Sequence, residues 1–431
     1  MNYQAVETTY RVSSVHPAAS CRLCGSPLSA TFVDLGMSPP CEDFRTAEQL
    51  DEPEVHYPLH VQVCDKCFLV QLKEYVSPDA IFTEYAYFSS YSTSWVAHAK
   101  AYCEAITDRL GLCGNHLAVE LASNDGYLLQ HFGALGVPVL GIEPAANVAQ
   151  VAIEKGIPTR VDFFGVRLAR QLIEEGIGAD LIIGNNVLAQ VPDLNDFVAG
   201  IKLLLNPEGA VTLEFPHLER LIAENQFDTI YHEHFSYFSL LTIQEMARRH
   251  RLKVFDVEKL PTHGGSLRVY LAHADSAQDV GPAVGELEAR ERELGFDRME
   301  TYTSFAASAQ RAKRDILSFL LTAQSEGKVV CGYGAPGKGN TLLNYCGIGP
   351  DLLRFTVDRN PYKHGRYTPG MHIPILPVEA IEQARPDYIL ILPWNLRHEI
   401  AQQLSYVAGW GAKLVVPIPN VRIASPTEFA K

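Results

Sequence analysis

Two Cys-x-x-Cys pairs, Cys21–Cys24 and Cys64–Cys67, dictate the first folding unit of this 431-residue chain. Two residues between cysteines let both sulfurs of a knuckle face one ion, and four thiolates suit tetrahedral zinc. Four protein ligands leave no open coordination position, so the metal is expected to be structural. The 39 residues between the pairs exceed the usual ribbon spacing of about 15–20, so that stretch must carry structure of its own. A redox pair is the competing reading, but neither pair sits in a thioredoxin-like βαβ pattern. Nine cysteines without an export signal suit a reducing, cytoplasmic setting. Cys41, Cys103, Cys113, Cys331 and Cys346 read as buried bystanders. No apolar run approaches the ~18 residues of a membrane-spanning helix, so no membrane partner is expected. A net charge of −14 disfavours nucleic acid.

Beyond the knuckles, HLAVEL, PVLGIE, ADLIIGNN and AVTLEF are short apolar runs separated by helix-length segments, the pattern of βαβ units in a largely parallel sheet. The charge-rich stretch from Val280 to Ser325 has helical periodicity. From Lys328, KVVCGYGAPGKGNTLLNYC begins a second α/β unit, with LLRFTVD, DYILILP and AKLVVPIP as further strands. The fold class is α/β in three domains, a zinc-binding domain over 1–80, a Rossmann-like domain over 81–275 and a second Rossmann-like domain over 326–431, the last two joined by connecting helices over 276–325.

HLAVELASNDGYLLQHF carries the strongest cofactor signal. A strand ends near Glu120, a turn of small residues runs through Ala122, Asn124, Asp125 and Gly126, and a helix follows. Glu143 ends the next strand, where a carboxylate can accept both hydroxyls of an adenosine ribose. Asp162, in TRVDFF just after the short strand there, is placed to bond the adenine amino group, and Asn185 closes the strand ADLIIGNN. The turn lacks G-x-G-x-x-G, and its acidic and carbonyl neighbours suit the sulfonium and ammonium of S-adenosylmethionine better than a pyrophosphate. Gly332-x-Gly334-x-x-Gly337, with Asp358 about 20 residues on, does match the dinucleotide fingerprint. NAD therefore remains a competing ligand for that second loop. It also nearly matches a phosphate loop, with Gly339 in place of the magnesium-binding hydroxyl.

Taken together, CxxC…CxxC, VELASNDGYLL, GIEPA, NNVLAQVPD, YHEHFSYFS and GYGAPGKGNTLLNY resemble, in order and over nearly the whole chain, the zinc-containing sugar C-methyltransferases. These methylate carbon 3 of 4-keto-6-deoxy sugars carried on nucleoside diphosphates. The resemblance implies an S-adenosylmethionine-binding central domain and a C-terminal domain that holds the sugar nucleotide through Gly334, Ala335, Pro336, Gly337, Lys338 and Gly339. A carbon beside a ketone needs a base before it can attack a methyl group. The resemblance places that base at His234, with Tyr231 and Glu233 positioning substrate and tuning the imidazole; His232 is the competing base. It places an active-site tyrosine at Tyr87, with Tyr85 and Tyr91 as alternatives. Gln190 stands where many relatives carry histidine, and it can bond a hydroxyl or ketone but cannot exchange protons at neutral pH. In HGGSLRVY, His263 and Arg268 are weaker candidates, and Gly264-Gly265 is explained by a hairpin turn. Rival functions are an NAD-dependent oxidoreductase, O- or N-methylation of a sugar, and a binding protein without turnover.

Overall fold

The computed structural model describes residues 20–76 and 88–430. Tyr85 and Tyr87 lie outside the described residues.

The stretch between the cysteine pairs folds into β1 (Ala30–Ser38) and β2 (Tyr57–Val63), followed by β3 (Val70–Leu72). β1, β2 and β3 pair antiparallel, and the sheet is completed by β9 (Ser236–Tyr237), which comes from far along the chain. The apolar runs of the middle of the chain become β4 (Ala118–Leu121), β5 (Val139–Ile142), β6 (Thr159–Arg160), β7 (Ala179–Asn185) and β8 (Leu205–Pro216). All four residues of β4 are buried, as expected of a parallel strand covered on both faces. A hairpin of β10 (Leu252–Leu260) and β11 (Ser266–His273) adds antiparallel to β8, giving the order β10-β11-β8-β7-β4-β5-β6. The Gly264-Gly265 step does lie in the turn of that hairpin. From β4 the chain runs outward to β6 and then returns to β7 on the other side. The switch point therefore lies between β4 and β7, where ligands of such sheets bind.

The C-terminal part has β12 (Val330–Tyr333), β13 (Thr356–Val357), β14 (Ile375–Leu376), β15 (Tyr388–Ile391) and β16 (Lys413–Val416), all parallel. An antiparallel β17 (Arg422–Ala424) closes one edge. The connecting segment forms three helices, Pro282–Glu293, Met299–Thr303 and Phe305–Ser325. The last buries Phe305, Ala309, Ala312, Ile316, Leu320 and Ala323, steps of three and four residues that make one apolar stripe. That stripe packs into a single core shared by the first sheet and the C-terminal sheet, with the rings of Phe32 and Phe305 stacked at 4.6 Å. The zinc knuckles instead join the core of the central sheet, through Cys21, Leu23, Cys64, Cys67 and Leu69. The first unit is thus a wedge between the other two. Phe305→Ala should lower stability by about 3–5 kcal/mol, the usual cost of deleting a buried ring, read as a fall in the denaturant midpoint at unchanged slope.

Candidate active site

A cleft of about 1350 Å³ opens at the carboxyl ends of β4, β5 and β7 and runs to the start of the helix Gly337–Cys346. Ala122, Asn124, Glu143, Asp162 and Asn185 line it, as the sequence reading expects of a cofactor pocket. Ala122 and Asn124 take left-handed conformations, with φ of 56° and 50°. That turn aims the Asn124 amide at Glu143 Oε2 and its side-chain oxygen at the Ser89 amide. Glu143 Oε1 accepts the Ala145 amide, so each oxygen keeps capacity for one more donor. Burial pushes the Glu143 carboxyl up, against these two amide bonds. Asp162 is held by Arg167 at 2.5 Å.

Glu120, Asp125 and Gly126 stand behind this wall rather than in it. Glu120 is 1% exposed. Burial, then the charges of Glu143 and Asp125, hold its carboxyl far above the usual range. Asp125 accepts bonds from Ser90 and from Lys155 Nζ. Gly126 takes φ 76°, a conformation that favours glycine, and a side chain there would also reach within 2.3 Å of Ile157 Cδ1. Glu120 Oε2 and Asp125 Oδ1 are buried without a hydrogen-bond partner. The acidic groups that do line the cleft, Glu143 and Asp162, fit a cationic ligand such as S-adenosylmethionine and oppose a pyrophosphate. Trp95, which the sequence reading missed, lines the same pocket and stacks on His98 and Tyr127 at 5.0 and 6.1 Å.

Tyr231, His232, Glu233 and His234 all reach the cleft, together with Gln190. His234 Nδ1 lies 3.1 Å from the Thr229 carbonyl. A carbonyl only accepts, so Nδ1 carries the proton and Nε2 keeps its lone pair. Burial pulls the His234 imidazole down to about 4; the Thr229 bond opposes this, and His263 and Lys338 add to it. The Tyr231 ring packs on His234 at 4.1 Å. Glu233 is pushed up to about 8 by burial and then by Glu42. His232 is buried against Tyr57, edge-on at 5.8 Å. Of the cysteines read as bystanders, Cys113 is exposed, because it follows a helix that has already ended at the surface. Cys41 is buried but lines the cleft, with its sulfur 4.0 Å from Glu233 Oε1. Tyr91 is exposed and outside the cleft lining.

On the far wall, Pro336, Gly337 and Lys338 face the cleft, while Gly334, Ala335 and Gly339 are buried behind them. Asp358 takes up the Ala335 amide and the Asn360 amide with its two oxygens, both at 2.8 Å. Glu42 lies at the Gly337 amide, balanced by Lys363 at 3.6 Å. Lys338 reaches Asn395 at 3.1 Å and sits 4.9 Å over the Trp394 ring. Trp394 in turn bonds the fully buried Asp228, whose carboxyl burial pushes up to about 6. Lys363, Arg366 and Tyr362 complete this wall. Arg359 instead pairs with Glu399, and His364 bonds the Asp358 carbonyl; neither lines the cleft.

The four cysteine sulfurs lie within 4.8 Å of one another, with Cys21–Cys67 and Cys24–Cys64 at 3.5 Å. Zinc–sulfur bonds of about 2.3 Å in a tetrahedron require sulfurs about 3.8 Å apart, so the set fits zinc. Between the knuckle cysteines, Arg22 bonds the carbonyls of Pro192 and Leu72 and packs on Phe235, tying the metal site to both sides of the cleft.

A doubly wound sheet with an antiparallel edge hairpin, and an acidic pocket at its switch point, defines an S-adenosylmethionine-dependent methyltransferase. The chain belongs to the C-methyltransferase family. Residues 21–82 match a zinc binding domain, 96–257 a methyltransferase domain and 261–419 a C-methyltransferase C-terminal domain. It is 36% identical over 411 residues to the C-methyltransferase NovU of Streptomyces niveus, covering 95% of this chain and 98% of that one. Among solved structures, a protein of Pyrococcus horikoshii OT3 (PH0226) is similar at 15% identity and TM-score 0.36, over 47% of this chain and 99% of that one. The magnesium protoporphyrin IX methyltransferase of Synechocystis PCC 6803 is similar at 13% identity and TM-score 0.31, over 42% and 81%.

Glu143→Ala should weaken S-adenosylmethionine binding about 10–100-fold by calorimetry, as expected for losing hydrogen bonds to a charged acceptor. Cys24→Ser should drop bound zinc well below one per chain by elemental analysis and lower the melting temperature.

Proposed function

We propose that this enzyme, acting in the cytoplasm, methylates carbon 3 of a nucleoside-diphosphate-linked 4-keto-6-deoxy sugar, with His234 as the base. The observation that carries this reading is the Thr229 carbonyl at His234 Nδ1, which leaves a lone pair on Nε2 in a largely desolvated cleft. S-adenosylmethionine supplies an electrophilic methyl on its sulfonium. His234 takes the proton from the carbon beside the ketone, and the C–H electron pair is delocalised onto the keto oxygen until that carbon attacks. The acidic pocket of Glu143 and Asp162 and the cationic wall of Lys338, Lys363 and Arg366 are joined by one cleft, which supports a cationic donor facing an anionic acceptor. The first-turn amides of the helix Gly337–Cys346, with Lys338, suit a diphosphate. Glu42 must yield the Gly337 amide to it. None of the nine cysteines is paired in a disulfide and four of them form the zinc set, which supports a reducing compartment.

Burial above all, and in part the facing Lys338, make His234 a weak base. A bound diphosphate neutralises Lys338 and so raises the imidazole toward its working range. The active form is neutral, so turnover falls as pH drops through the His234 pKa. Lys338→Met removes a charge that lowers this pKa, so the acid limb of kcat at saturating sugar nucleotide should move to higher pH. His234→Asn should cost about 10²–10⁴ in rate with the donor still bound. Labelled S-adenosylmethionine and a panel of 4-keto sugar nucleotides, with NMR of the product carbons, give the direct test. A methyl on oxygen or nitrogen sinks the carbon-acid mechanism, and a methyl on carbon 5, the other carbon flanking the ketone, sinks the carbon 3 assignment.

A further inference from the structure

His263 sits in the turn between β10 and β11 with φ 54° and ψ 18°, a left-handed conformation that costs a histidine free energy. The surrounding structure enforces it from several sides. Thr262 Oγ1 donates to the buried Glu214 at 2.9 Å, and the Gly265 amide closes on the Thr262 carbonyl at 2.8 Å. Gln226 holds the Gly264 carbonyl at 2.9 Å. A side chain on Gly264 would strike Trp394, and one on Gly265 would strike Arg220. The strained residue is therefore clamped between the methyltransferase sheet and the C-terminal domain. Its imidazole projects into the cleft, edge-on to Trp95 at 5.1 Å on the cofactor side. Lys338 faces it electrostatically from the sugar-nucleotide side. Glu214 is already satisfied by Arg268, His98 and Thr262, so it fixes the turn.

We propose that His263 is a second catalytic group, a neutral imidazole that donates a hydrogen bond to the keto oxygen as the neighbouring carbon is deprotonated. This rests on the substrate reading above. The C–H bond breaks, its proton goes to His234 Nε2, its electron pair forms the carbon–carbon double bond, and the carbonyl π pair moves onto oxygen. That oxygen is stabilised by the His263 N–H and needs no co-reactant. A neutral imidazole serves as electrophile where an imidazolium would be desolvated and lost. Gln190 lines the same cleft and its amide can also donate to a ketone, so the oxyanion can draw on two wall donors, of which His263 is the one held rigidly by its turn.

The test is exchange of the substrate's α-proton in D2O with S-adenosylhomocysteine bound, which reads deprotonation apart from methyl transfer. His263→Gly and His263→Asn both tolerate the left-handed backbone and so keep the turn. Both should slow exchange and methylation about 100-fold, the cost of one oxyanion donor, with S-adenosylmethionine affinity and melting temperature unchanged. Exchange at the wild-type rate in either variant overturns the proposal. So does a parallel loss of donor affinity and melting temperature, which would make His263 a packing residue against Trp95. If the wild type neither exchanges nor methylates any 4-keto sugar nucleotide, the substrate reading fails, and this inference with it. A wild type that does both while the variants are unimpaired sinks His263 alone.

Discussion

Two backbone hydrogen bonds at Phe235 join the segment that carries His234 to the rest of the central domain and to the zinc-bearing unit. Its amide donates to the Ala189 carbonyl at 2.7 Å, and its carbonyl accepts the Leu72 amide at 3.0 Å. The first bond sets His234 beside the Gln190 turn, and the second stitches the same segment to the zinc-bearing sheet, where β9 pairs with β3. Arg22, held between two metal-ligating cysteines, packs on the Phe235 ring and bonds Pro192. From the other side, Thr341 bonds the Ile230 carbonyl and Asn340 bonds the Cys41 carbonyl, so the C-terminal helix grips both ends of this junction. His234 cannot move without moving the zinc knuckle, the Gln190 turn or the Gly337 helix. That gives a structural metal a bearing on catalysis without a coordination position of its own.

Charge is divided along the cleft in a way that net charge conceals. The protein carries −14 overall, yet the wall nearest the C-terminal domain holds Lys338, Lys363 and Arg366. Two of these cations are tempered by acidic neighbours. Lys363 faces Glu42, and Lys338, itself pulled down by burial, faces the Asp228 that Trp394 anchors. Glu42 at the Gly337 amide occupies the place a phosphate oxygen would take, so an anion entering there exchanges one negative partner for another. Such an exchange favours ligands with more than one charge, because a single carboxylate gains little over Glu42.

The sequence made local features legible and left non-local ones hidden. The two cysteine pairs, the strand-turn-helix at Glu120 and the Tyr231–His234 run are each short local patterns; the four sulfurs come together, and the other two patterns fold beside the cleft. Which members of a run face the ligand depends on packing, so Glu120, Asp125, Gly334 and Gly339 fall behind the wall while their neighbours line it. Gly126 illustrates the ambiguity: its lack of a side chain serves Ile157, a contact across 31 positions that no motif encodes. Trp95, Glu42 and the Asp228–Trp394 pair went unread for the same reason. They come from separate units and acquire meaning only when the wedge of the first domain brings those units together. Asp358 satisfied the spacing of a dinucleotide fingerprint, but it holds the Ala335 and Asn360 amides and stands outside the cleft lining.

Backbone strain marks the same place from an independent direction. Ala122, Asn124, Asn186 and His263 are non-glycine residues at positive φ, and all four line the cleft. Each left-handed residue of this kind costs on the order of 1 kcal/mol, and no folding requirement of a doubly wound sheet calls for four at one rim. What the strain achieves can be followed atom by atom at Asn124. Its turned amide holds Glu143, and its side chain holds Ser89, in the segment that enters the domain from the zinc side. A relaxed backbone would lose both bonds and leave Glu143 without the donor that orients it. The strain is therefore the means by which a carboxylate kept from water stays aimed at the pocket, and the hydrogen bonds around it are what hold the strain in place.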